Sequence, residues 1–312
     1  MNRLTTPVWR AVAGAALLAW ARPATAAPKA DAALQRKLQA AVASFSGRVG
    51  VYVRNLSSGT EAGIDADAVF PTASTVKIPI LVALLERVER GELDYNAELV
   101  MTSTRAYDSD DLSAGLKDGA KLSPAKLVWL MESMSDNTAA LWCQELAGGG
   151  DAINSWLAAH GFPATRVNSR TPGRESERAV YGWGQTTPRE MAELMLQASS
   201  ATAVSPAVSE EMLRVLSKSY WDGEALSQIP PYVHAASKQG AVDRSRSEVL
   251  LVDAPSGRYV LSVYTADQTD VGYERDNEGY ELLRRVSRAV WEYDEGAAWK
   301  PRAESLRFYR KD

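Results

Sequence analysis

Ser74 and Lys77 stand three residues apart in FPTASTVKIPIL, Phe70 to Leu81, where irregular sequence gives way to a helical pattern. At the start of a helix, side chains at that spacing share a face, so the serine hydroxyl and the lysine amine lie within reach of each other. A neutral lysine can take the serine's proton and make the oxygen a nucleophile. Neutrality requires burial, nearby positive charge or suitable hydrogen bonds. Backbone N–H groups at the helix start would also stabilise negative charge developing beside the serine. The competing reading is a helix cap followed by a surface lysine. Ser123-Pro124-Ala125-Lys126 shows the same spacing, and there the cap reading fits: serine cap, proline in the first turn, lysine in solvent. Lys77 differs in its neighbours, since Val76, Ile78, Pro79 and Ile80 make its setting apolar.

Two further stretches carry polar groups suited to such a site. Ser135-Asp136-Asn137 follows a helical segment, and Lys238-Gln239-Gly240 lies in a strand pattern. Other chemistries are poorly supplied. With two histidines, His160 and His234, a Ser-His-Asp triad or a His-rich metal centre has little to draw on. His160 reads as a helix C-terminal residue and His234 as the approach to a strand. The single cysteine, Cys143, cannot form an internal disulfide and sits in an apolar helical segment as a small buried residue. A net charge of -4 gives no reason to expect nucleic acid or an anionic membrane surface as partner.

The elements that must position these residues follow from the pattern. Residues 1–26 carry Arg3 and Arg10, an apolar run from Ala11 to Ala21, and Ala24-Thr25-Ala26, which together read as a cleavable secretory signal peptide. A periplasmic or secreted protein without a stable membrane anchor is expected, with residues 27–312 as one catalytic domain. A helix around Ala32 to Phe45 precedes the alternating strand GRVGVYVRNL and its partner TEAGI. Helical segments fill the middle. One of them has Thr187 as cap, Pro188 at the first position and Glu190 to complete a capping box. Strands return from Val233, and a last helix places Leu282, Leu283, Val286, Val290 and Tyr293 on one face. Strands at both ends with helices between predict an α+β fold. Its antiparallel sheet would come from about residues 46–70 and 230–295, and its helical layer from about 71–229, with the site at the seam.

In order and separation, Ser74 with Lys77, Ser135-Asp136-Asn137 and Lys238-Gln239-Gly240 resemble the motifs of the penicillin-recognising serine hydrolases, which include D-Ala-D-Ala peptidases and, closest in layout, class A β-lactamases. The resemblance covers essentially the whole mature chain and implies the β-lactamase/transpeptidase-like fold. It implies that Ser74 is the acylated nucleophile, Lys77 its base or proton relay, and Ser135 the group that passes a proton to the leaving nitrogen. Lys238 would hold Ser135 and attract a substrate carboxylate, and Asn137 would bind a side-chain amide. Asp136 would brace the loop. The oxyanion hole would be the N–H groups of Ser74 and Ala241, with Gly240 allowing close approach of substrate to the strand. Arg246 would add a second positive charge for the carboxylate, or stand as a solvated strand residue.

The chain departs from that family pattern twice. Class A enzymes carry a glutamate that activates water for deacylation, and the matching position here is Thr171. A threonine hydroxyl is far too weak an acid–base group to replace it. Glu175 or Glu177 would have to reach the site through a rearranged loop. Gln239 stands where the family has threonine or serine, which changes the carboxylate pocket. Three readings follow: a class A-like β-lactamase with altered deacylation; a hydrolase of D-alanyl peptides, esters or other amides; or a sensor that binds β-lactams or peptidoglycan fragments. The first is preferred on layout, with antibiotic resistance as its consequence. The expected partner is a small β-lactam or peptidoglycan-derived molecule, the expected state a monomer, and the chemistry needs no cofactor.

Overall fold

Strand-forming residues from the two ends of the chain meet in one six-stranded sheet of order β1-β3-β2-β11-β10-β9. The computed structural model describes residues 27–202 and 204–299. The expected leader over residues 1–26 lies outside the described residues. The first half contributes β1 (Lys29–Ala30), then α1 (Ala32–Val42), β2 (Arg48–Asn55) and β3 (Thr60–Ile64). The helical layer follows, interrupted by short strands that pair with one another rather than with the main sheet. It runs through β4 (Phe70–Pro71), a 3-10 turn over Ala73–Val76, α2 (Lys77–Glu89), β5 (Leu99–Val100), β6 (Lys121–Leu122), α3 (Pro124–Ser133) and α4 (Asn137–Leu146). It continues with α5 (Gly149–Ala159), β7 (Arg166–Val167), α6 (Glu175–Tyr181), β8 (Gly184–Thr186), α7 (Pro188–Ser199) and α8 (Pro206–Leu216). β9 (Ala235–Val242), β10 (Ser245–Ala254), β11 (Gly257–Ala266) and α9 (Glu278–Glu295) complete the chain. This is the α+β arrangement that the strand–helix–strand pattern predicts. The two- and three-residue strands of the helical layer, and β1, carry too little pattern to read from sequence.

The main sheet is buried on both faces, and its alternation shows why. On β10, Val249 and Leu251 join the core under the helical layer, while Leu250 and Val252 join the core under α1 and α9. Leu34 and Leu38 from α1 meet Leu282, Leu283, Val286 and Val290 from α9 in that second core. Tyr293 is only partly buried there, its hydroxyl bonded to Asp31.

α2 buries more than one face. Every residue from Lys77 to Leu85 is buried, because α3, α4, α5, α7 and α8 pack around the helix. Its lysine is therefore taken out of water along with its leucines. The capping box at α7 is also only half formed. Thr187 accepts from the Glu190 N–H, but the Glu190 carboxylate accepts from Ala164 N, Thr165 N and the Thr165 hydroxyl instead. Tertiary donors outcompete the local one. The Ser123 cap of α3 forms as expected, its hydroxyl accepting from Lys126 N. His160 closes α5 through Nδ1 on Trp156 O and stacks on the Trp156 ring. His234 lies between Ser217 and Asp253. Cys143 is buried. No helix among the described residues is long and apolar enough to cross a membrane.

Glu248 is the fold's own titrating element. Fully buried on β10, it accepts from Ala225 N, Leu226 N and the Ser237 hydroxyl. Burial first, and the Glu224 carboxylate second, push its carboxyl from the usual 4.5 up to about 8. A carboxyl whose folded pKa is raised holds its proton more tightly in the native state. Its contribution to stability is full below 4.5 and is lost as pH rises toward 8. Glu248→Gln should therefore show a smaller fall in melting temperature than wild type between pH 5 and pH 8, read by thermal unfolding across that range. Parallel curves would remove Glu248 from the account.

Candidate active site

A left-handed backbone at Ala73, with φ of 44°, turns the chain from β4 into the short 3-10 segment that carries Ser74. Non-glycine residues adopt that region at a cost that the surroundings must hold in place. Here the Thr75 hydroxyl donates to Thr72 O and meets the buried Tyr264 hydroxyl at 2.9 Å, pinning the turn to β11. One turn later Lys77 enters α2 with its side chain fully buried.

The Lys77 Nζ is surrounded by oxygen. Ser74 Oγ and Ser135 Oγ lie at 3.0 Å, Asn137 Oδ1 at 2.9 Å and Ser135 O at 2.5 Å. An ammonium has three protons and no lone pair, so it cannot accept a proton from any of them. Deprotonated, the amine would keep its two N–H groups on the Ser135 carbonyl and the Asn137 amide oxygen and turn its lone pair to the Ser74 hydroxyl, the contact in which Nζ otherwise donates. Burial, and after it the Lys238 ammonium, hold Lys77 well below the usual lysine range, against the pull of Glu132, Asp111 and Asp136.

Ser135 sits between α3 and α4 with φ of 59°, again in the left-handed region. Acidic caps fix the turn. Asp136 accepts from Ala139 N and from both the N–H and the hydroxyl of Ser113, which braces the preceding loop. Asp111 accepts from Asn137 N, Thr138 N and the Thr138 hydroxyl. The start of α4 is thus held by two carboxylates, and Asn137 is turned toward Lys77.

The third part comes from β9, the outermost strand of the sheet. Lys238, 1% exposed, places Nζ 3.0 Å from Ser135 Oγ and 2.8 Å from Gln239 O. Burial lowers its pKa to about 8, with Glu132, Glu248 and Glu224 opposing the shift. Gly240 is required by close approach. A Cβ there would lie 2.6 Å from Ser74 N, 2.7 Å from Ser247 Oγ and 2.8 Å from Thr72 O. The face of β9 at Gly240 therefore packs against the Ser74 N–H, with Ala241 next along the strand and half-buried. Ser247 ties the two sides by donating to Thr72 O.

Other residues read from the sequence stand elsewhere. Glu175 is exposed at the start of α6 and accepts from Gly173 N, and Glu177 accepts from the Ser176 hydroxyl; both carboxylates are engaged at the surface, away from Ser74 and Lys77. Thr171 is buried, donates to Ser169 O and packs against Gly150. Arg246 is neither solvated nor part of the Ser74 cluster. Its guanidinium is enclosed between Tyr273 and Tyr280 and donates to the carbonyls of Val242, Ser245 and Gly272. Gln239 is half-buried, and its amide makes no hydrogen bond among the described residues. The sequence reading missed Asp111, Ser247 and Glu132. Glu132 is a buried carboxylate in the last turn of α3, and no local signal marks it, because a glutamate in a helix ordinarily faces water.

Comparison with known proteins agrees with this geometry. The family model described as "Beta-lactamase enzyme family" matches residues 33–293. Beta-lactamase VEB-1 of Pseudomonas aeruginosa is 20% identical over 274 residues, covering 83% of this chain and 90% of that protein. Beta-lactamase regulatory protein BlaB of Streptomyces cacaoi is 36% identical over 89 residues, 28% of each protein. Among solved structures, a mutant of PBP-A in an acyl-enzyme complex with penicillin-G superposes with a TM-score of 0.77 at 26% identity, covering 88% of this chain and 100% of that one.

Gly240→Ala should force β9 away from the Ser74 N–H. Acylation of Ser74 by a β-lactam is expected to slow by about 10²-fold or more, the usual effect of losing one oxyanion donor. Rapid-quench intact mass measures it, with the melting temperature as control for the fold. An unchanged rate would mean that the close approach serves packing alone.

Proposed function

The chain belongs to the beta-lactamase enzyme family, and on that premise we propose that this β-lactamase-like serine hydrolase opens β-lactam amides by acylating Ser74 and releases the acyl group slowly. The observation that carries this reading is the buried Lys77 amine, 3.0 Å from both Ser74 Oγ and Ser135 Oγ. In the first half-reaction the Ser74 hydroxyl gives its proton to Lys77 as Oγ bonds to the lactam carbonyl carbon. The oxyanion is received by the N–H groups of Ser74 and Ala241. The C–N bond then breaks, and the leaving nitrogen takes a proton from Ser135, which the protonated Lys77 restores. Lys238 holds Ser135 and attracts the substrate carboxylate, and Asn137 faces the substrate's side-chain amide. Gln239 shapes the carboxylate pocket in place of a small hydroxyl.

Release is the weak step. The opened β-lactam keeps its amine tethered beside the ester and obstructs that side, so water needs a base on the other face. The Thr171 hydroxyl is bonded to Ser169 O, and no carboxylate among the described residues hydrogen-bonds Ser74. These observations also favour a second reading, in which the turned-over substrate is a D-alanyl peptide or ester. Its leaving group departs, and Lys77 and Ser135 can serve both half-reactions from one side. A purely sensing role, suggested by the partial similarity to BlaB, would not need the complete set of Ser74, Lys77, Ser135 and Lys238. We place the reaction outside the cytoplasm, after export by the leader, in a monomer, with antibiotic resistance as the physiological outcome where release is fast enough.

The test follows a chromogenic cephalosporin by product and intact mass together. Wild type should give a burst near one equivalent with an adduct on Ser74, followed by slow turnover; Ser74→Ala should give neither. Fast turnover without an accumulating adduct would overturn slow release, and absence of both adduct and product would overturn β-lactam acylation. Lys77→Met should lower the acylation rate by ~10²–10⁴-fold, the range for loss of a general base. A smaller loss would move the base elsewhere.

A further inference from the structure

Among the described residues, Glu132 is the one carboxylate with both oxygens buried and without a hydrogen-bond partner. It lies in the last turn of α3, three residues before Ser135, with 1% of its surface exposed. Both carboxylate oxygens are shut off from solvent and make no hydrogen bond. Such a group is costly where an apolar side chain would pack, and no cap, turn or ion pair of the fold uses it. The charges that act on it are the ammonium of Lys238 and, after it, Lys77.

We propose that Glu132 is a positioning residue for acylation: its buried carboxylate keeps Lys238 an ammonium beside a neutral Lys77, and so sets the pH window in which Ser74 reacts. The proposal rests on the reading of Ser74 as the acylated residue. Both lysine Nζ atoms lie 3.0 Å from Ser135 Oγ, so two ammoniums there would repel each other with little water to screen them. With Glu132 ionised, Lys238 charged and Lys77 neutral, the trio carries no net charge. Without Glu132 the same trio is a lone buried cation, which favours losing the proton from Lys238.

The other groups facing this trio are committed elsewhere to differing degrees. Glu248 from β10 acts on Lys238 but accepts from Ala225 N, Leu226 N and the Ser237 hydroxyl. Glu224, before the 3-10 segment at Ala225, acts on Lys238 after Glu132 and Glu248. Asp111 and Asp136 act on Lys77 after Glu132 and are spent capping α4. Cys143 from α4 faces Glu132 as a thiol, held protonated by burial. Burial raises the Glu132 carboxyl to about 7, with both lysines restraining the shift, so it is substantially ionised where Lys238 titrates, at about 8. A carboxylate raises the pKa of each lysine it faces. Removing it moves both limbs of the acylation profile to lower pH: the acid limb, where Lys77 gains its proton, and the alkaline limb, where Lys238 loses its own.

The experiment measures the rate of Ser74 acylation by a carboxylate-bearing cephalosporin from pH 5 to pH 10 by rapid-quench intact mass, for wild type, Glu132→Gln and Glu132→Leu. The alkaline limb of both variants should move down by about one unit or more, the usual effect of a nearby opposite charge. Leucine fills the space without an unpaired amide and keeps the test available where the glutamine variant does not fold. Thermal unfolding accompanies each profile, and the leucine variant should be at least as stable as wild type. Variant profiles that superpose on the wild-type profile overturn the proposal. A wild type that is never acylated overturns instead the reading of Ser74 on which it rests.

Discussion

A lysine amine sealed from water inside α2 is the constraint around which this structure is arranged. Desolvation disfavours the Lys77 ammonium, and the oxygens of Ser74, Ser135 and Asn137 lie within hydrogen-bond distance of its Nζ. Keeping it there requires a helix buried all round, which in turn requires α3, α4, α5, α7 and α8 packed about it. The left-handed backbones at Ala73 and Ser135 belong to the same constraint. Each aims a serine at the amine and is held by bonds that a relaxed turn would not need.

The sheet brings a second buried lysine to the same serine. β9 is an edge strand, and Gly240 lets its face pack against the Ser74 N–H. Two residues earlier on that strand, Lys238 reaches Ser135. The carboxylates gathered behind it, Glu132 first and then Glu248 and Glu224, favour its protonated state. Two buried lysines and the serine between them thus form an electrostatic unit drawn from α2, the α3–α4 turn and β9.

What the sequence reveals of this depends on how local each cause is. The approach of Lys77 to Ser74 follows from helical spacing, and the Ser123 cap from a residue and the three after it. The main strands follow from alternation. Arg246 is different, because its burial depends on Tyr273 and Tyr280, about thirty residues along the chain, and its guanidinium serves carbonyls that no local pattern announces. Glu190 carries the signature of a capping box, yet its carboxylate is taken by Ala164 and Thr165. Glu132 reads as a solvated helix residue because α3 alone gives no hint that two lysines from distant segments converge beside its last turn. The all-round burial of α2 is likewise a property of the assembled layers, invisible to a search for one apolar face.

The arrangement turns on Lys77 being a neutral amine while Lys238 beside it is an ammonium. The direct measurement is a titration of the lysine side-chain nitrogens by NMR on lysine-labelled protein, with each signal assigned by its loss in a single lysine variant. The account predicts that Lys77 titrates well below 10.5 and below Lys238, and that Lys238 titrates near 8. A Lys77 signal that remains that of an ammonium until Lys238 has lost its proton would contradict it.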